Sequence, residues 1–115
     1  MSKTIYCIAQ FKHKSGRGKE LFEVLKALEP NTLREDGCIH YIVTRHIQNS
    51  FAPGESYPIV FNEIWESKEA FGAHCQRKEI VNFFKTQIED PDGLVEAHNV
   101  CAFSDEPEGY DKPVY

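Results

Sequence analysis

The sequence predicts an α+β domain: four antiparallel strands in one sheet, with two helical regions on one of its faces, in the order strand, helix, strand, strand, helix, strand. Three observations carry this. Segments 3–13, 38–48, 57–66 and 94–103 alternate their side chains with period two. Two intervening segments repeat apolar residues every three to four positions, as one buried helical stripe requires. The connection 49–56, polar and containing Pro53 and Gly54, has the character of a hairpin loop.

The first strand, 3–13, sets Ile5, Cys7, Ala9 and Phe11 against Tyr6, Ile8 and Gln10, so neither face is fully polar. Gly16 and Gly18 turn the chain into an amphipathic helix with Leu21, Leu25 and Leu28 inside and Lys19, Glu20, Glu23, Lys26 and Glu29 outside. Pro30 removes a backbone donor, so the helix is expected to end or kink near Glu29 and to resume over 31–35, before Asp36 and Gly37 give a left-handed stop. The second strand places Cys38, His40, Ile42, Thr44 and His46 on one face and Ile39, Tyr41, Val43, Arg45 and Ile47 on the other.

The third strand is the centre of the pattern. Tyr57, Ile59, Phe61, Glu63 and Trp65 share one face; Pro58, Val60, Asn62, Ile64 and Glu66 share the other. A strand apolar on both sides needs cover on both, helices on one and a second sheet or partner subunit on the other. Ser67 is a good N-cap. Beyond it Phe71, His74 and Cys75, then Ile80, Phe84 and Ile88, form a buried stripe that turns His74 towards the interior. After a Pro/Gly turn at 90–93, the last strand sets Val95, Ala97, Asn99, Cys101 and Phe103 against Glu96, His98, Val100 and Ala102.

This order is the split βαβ plan of ferredoxin-like domains. Its bare sheet face is apolar here, which favours a homodimer in which two sheets close a dimeric α/β barrel. The expected organisation is one domain over 1–104 and an extended tail over 105–115. A formal net charge of -5 without a basic stripe argues against nucleic acid. No apolar stretch near the N-terminus is long enough for a signal peptide or membrane span, so no membrane association and a cytoplasmic location are expected. The four scattered cysteines read as small core residues in a reducing compartment. His40, His46 and His98 lack the spacing of a metal site, and no metal is expected.

Several side chains stand out chemically. Glu63 is a carboxyl on an otherwise apolar face, costly unless paired or protonated; His74 and Arg45 are its candidate partners. His74 titrates near neutral pH and is either a proton-transfer group or a hydrogen-bonded core histidine. Trp65 is either a stacking platform with an N–H for a developing oxyanion or a core filler. Tyr41, Asn62, Phe61 and Phe71 are candidate pocket walls.

Taken together, Gly37, Cys38 and Tyr41, followed by Glu63, Trp65, Ser67, Ala70 and His74 in the pattern E-x-W-x-S-x-x-A-x-x-x-H, resemble the antibiotic biosynthesis monooxygenase (ABM) domain and its quinol monooxygenases, over about residues 3–103. The resemblance implies a dimeric α/β barrel that oxidises a small quinol or phenol with dioxygen and needs no cofactor. It implies His74 as general base, Trp65 as ring platform and oxyanion donor, and Glu63 as the group that orients the imidazole. Many members carry a second histidine where this chain has Lys78 and Glu79, which leaves the partner of His74 open. The stretches matching the haem-degrading relatives read IAQF and NFFK, which disfavours haem. An isomerase acting through the same base, and a non-catalytic dimer that binds an aromatic metabolite, are the alternatives.

Overall fold

The computed structural model describes residues 4–107. Strands β1 (Ile5–His13), β2 (Cys38–Arg45), β3 (Ile59–Trp65) and β4 (Val95–Ser104) form one antiparallel sheet in the order β2-β3-β1-β4. This is the ferredoxin-like arrangement that the element order implied. The central pair β1 and β3 buries Ile5, Cys7, Ala9 and Phe11 against Ile59, Phe61 and Trp65, with Cys7 opposite Glu63 and Ile5 opposite Trp65. Helices α1 (Gly18–Lys26), α2 (Glu29–Thr32), α3 (Lys68–Cys75) and α4 (Lys78–Phe83) cover that face. The opposite face presents Tyr6, Ile8, Val60, Ile64 and Phe103, and no described element covers it. None of the described helices is long and apolar enough to cross a membrane. Of the tail expected over 105–115, residues 108–115 lie outside the described residues.

Four local expectations are corrected. The first helix stops at Lys26, before Pro30, and Pro30 sits inside the first turn of a separate helix, α2, where its missing N–H would have had no partner. Glu29, expected on the outer face, is buried and reaches sideways: its Oε2 accepts the backbone N–H of Val43 at 2.8 Å, satisfying a donor on edge strand β2. A bulge between Cys38 and His40 turns Cys38 to the helix side, opposite Trp65, and leaves Ile39 exposed, reversing the faces read for that end of β2. A second irregularity between Lys12 and His13 brings Val95 into the core, away from the face of Ala97 and Asn99.

The second helical region is three pieces. Ser67 caps α3, its hydroxyl accepting the Ala70 N–H at 3.0 Å. The chain breaks at Gln76 and Arg77, α4 follows, and Phe84–Glu89 widens into a π-helical turn closed by Asp90 N–H to Lys85 O at 3.1 Å. Ile80 and Phe83 are the buried residues of α4, while Phe84 and Ile88 pack at its margin. Of the cysteines only Cys7 is fully in the core, and Cys75 is exposed.

Candidate active site

Gly37 sets up the site. Its φ of +83° is a left-handed conformation, and a Cβ there would stand 2.6 Å from the Ala70 Cβ. Its carbonyl accepts the Glu66 N–H at 2.8 Å, tying the start of β2 to the end of β3. Glu35, two residues earlier, is thereby held against α3.

Between sheet and helices lies a mostly apolar cavity of about 300 Å3, at the small end of the roughly 300–1,000 Å3 range of small-molecule pockets. Its inner wall is made of the buried residues Cys7, Tyr41, Phe61, Glu63 and His74. Exposed Cys75, Val81, Lys85, Glu89 and Val100 form the mouth, beside the π-helical turn and edge strand β4. Phe71 also lines it.

Two hydrogen-bonded systems meet at this inner wall. Trp65, with no exposed surface, donates its Nε1–H to Glu63 Oε1 at 3.0 Å. His74 pairs through Nδ1 with Glu35 Oε2 at 2.9 Å, and the same oxygen accepts from Arg77 NH1 at 2.6 Å. The imidazole and indole rings lie against each other, tilted by 36° with centroids 4.5 Å apart, and Tyr41 stands edge-on to His74 at 5.3 Å. Tyr41 in turn stacks on Phe61 at 4.2 Å.

Burial raises the Glu63 carboxyl to about 7; the Trp65 N–H opposes that rise and the charge of Glu35 adds to it. Burial lowers the basicity of His74, against the opposing pull of Glu35. Tyr41 is held in its phenol form by burial and by the charge of Glu63.

Glu63 favours its protonated form in the folded chain, so its contribution to stability is greatest below about pH 4.5 and is lost as pH rises through about 7. His74, less basic when folded, has the opposite slope below its ordinary value of 6.5. The difference between wild type and Glu63→Gln isolates the carboxyl. The glutamine variant is expected to gain on wild type between pH 5 and 8, by up to about 3 kcal/mol, in urea unfolding series. A difference that stays flat with pH would mean that Glu63 titrates as an ordinary carboxylate.

The structure brings together Glu63, His74, Tyr41, Phe61 and Phe71 on one cavity. Trp65 lies behind that wall, and its N–H is already given to Glu63, which removes it as an oxyanion donor. Asn62 lies outside the cavity altogether: it faces the opposite side of the sheet and donates to Thr44 Oγ1 at 3.0 Å. Glu63 bonds neither expected partner. Arg45 is opposite Ile59 at the far end of the strand, and His74 is held by Glu35. Glu35 and Arg77 were not singled out from the sequence. Arg77, three residues after His74, carried a faint helical-spacing signal; Glu35, 39 residues away, carried none. His40 and His98 stand on opposite edges of the sheet, and no group of three His, Cys, Asp or Glu among the described residues converges as a metal set.

Fold and site together define a ferredoxin-like α+β protein with a buried carboxyl and imidazole facing an apolar hollow. Residues 4–86 match the antibiotic biosynthesis monooxygenase family, and the chain belongs to that family. Among solved structures, a Shewanella oneidensis protein is 30% identical, with a TM-score of 0.72 over 90% of this chain and 92% of its own. A Pseudomonas aeruginosa protein, 19% identical, also gives 0.72 over 90% and 95%. A Bacteroides fragilis protein described as dimeric and ferredoxin-like is 14% identical, with 0.67 over 88% and 95%. Among curated proteins none matches the sequence significantly.

Proposed function

We propose that the chain is an oxygenase that oxidises a small quinol or phenol with dioxygen in this cavity, His74 taking the phenolic proton. The observation that carries the reading is a hydrogen-bonded imidazole on the wall of a ring-sized apolar hollow. A phenolate is electron-rich enough to reduce dioxygen itself, so the protein need supply a base, a close fit and exclusion of water. One oxygen atom enters the ring as a hydroperoxide forms and loses water, leaving a carbonyl; the second atom and two hydrogens depart in that water. Tyr41, Phe61 and Phe71 hold the ring, and Glu63, while protonated, donates to a substrate oxygen.

The bare apolar sheet face supports a homodimer, the state attributed to the Bacteroides fragilis relative. Oxygen uptake by metal-free protein with a panel of reduced quinones and phenols is the test. Uptake above the buffer rate, with oxygen-18 from dioxygen in the product, is expected. Uptake equal to buffer for every compound ends the proposal. Because a base and a raised-pKa carboxyl on one wall also suit enolisation, a product of unchanged mass would instead point to an isomerase.

A further inference from the structure

We propose that Glu35, clamped by Arg77, is a positioning residue that holds the His74 imidazole in its Nδ1-protonated tautomer and so leaves Nε2 as the basic nitrogen. This rests on the reading of His74 as the base and assigns the partner that the sequence left open.

The geometry is specific. A single carboxylate oxygen, Glu35 Oε2, receives both the His74 Nδ1–H at 2.9 Å and the Arg77 guanidinium at 2.6 Å. The Glu35 side chain is 12% exposed and that of His74 5%, so the bond between them is not readily exchanged for water, whereas Arg77 reaches in from the surface with 34% of its side chain exposed. An acceptor-only carboxylate requires the proton on Nδ1, which fixes the tautomer without any hydrogen being seen. Trp65, tilted 36° against it, and Tyr41, edge-on, hold the ring from two sides in this orientation.

Arg77 has a second effect. Its charge opposes a proton on the His74 ring. Glu35 and Glu79 act in the opposite sense, favouring the imidazolium. The pair thus sets ring orientation through Glu35 and tempers ring basicity through Arg77. Glu63, on the sheet side of the cavity, is committed to Trp65 and does not share the task.

The test reads the ring directly by nitrogen-15 NMR of the full chain, with kinetics beside it. In wild type, Nδ1 should carry the proton. In Glu35→Leu the signal should move towards the Nε2-protonated form, and kcat/KM should fall by up to about 10²-fold with KM little changed.

Glu35→Gln keeps an acceptor and loses the charge. It should retain the tautomer and lower the His74 titration midpoint, whereas Arg77→Met should raise it. This opposite pair of shifts does not depend on the leucine variant folding. An unchanged tautomer in Glu35→Leu, or midpoints that do not move in opposite directions, would overturn the assignment. Absence of turnover in wild type would remove the oxygenase reading alone, since the tautomer is measured without substrate.

Discussion

His74→Ala is expected to lower kcat/KM for any phenol that the wild type oxidises by about 10²–10⁴-fold, the usual contribution of a positioned general base. The loss should lie in kcat, because the apolar walls that bind the ring, Tyr41, Phe61 and Phe71, are untouched. Removing the imidazole leaves Glu35 with its Arg77 partner, so the deletion does not strand a buried charge. A chain that folds with a wild-type circular dichroism spectrum and retains more than a third of the wild-type kcat/KM would remove His74 from the chemistry. Ligand binding supplies the contrast: a non-catalytic binder would keep its affinity and show no turnover in either form.

Trp65→Ala should cost about 3–5 kcal/mol of stability, read from urea unfolding midpoints. The indole is the largest fully buried side chain, packed against His74, Tyr41 and Phe71. Its loss also leaves Glu63 without its N–H donor, an unsatisfied buried acceptor that adds to the cavity cost. Trp65→Phe separates the two contributions: it restores most of the volume, keeps the donor absent, and should push the Glu63 titration further upward. A cost below about 1 kcal/mol for the alanine variant would be a conservative-swap value and would mean that the wall behind the cavity repacks freely.

Both expectations draw on parts of the molecule that were unequally legible beforehand. Period-two alternation over β1 and β3 identified which side chains face the helices, and Ile5, Cys7, Ala9, Phe11, Ile59, Phe61 and Trp65 are all buried. The Ser67 cap and the Gly37 stop were readable because each is local backbone chemistry, satisfied within a few residues. The bulges at Cys38 and near His13 were not readable, because a bulge shifts pairing between strands without a required local sequence mark, and one extra residue inverts every face beyond it. Asn62, a candidate pocket wall by its neighbours in sequence, belongs by its own alternation to the other face, and the structure follows the alternation.

What the sequence alone determined is therefore the identity of the inward-facing groups: strand and helix periods set the direction of Glu63, Tyr41 and His74 before any contact is known. Which groups they bond was decided only by the tertiary structure. Trp65 gives its N–H to Glu63, and His74 turns to Glu35 and Arg77. The physical reason is range. Direction follows from the backbone dihedrals of neighbouring residues, whereas the match of a buried donor to an acceptor 39 residues away depends on how helices seat on the sheet and on which polar atoms desolvation then forces to pair.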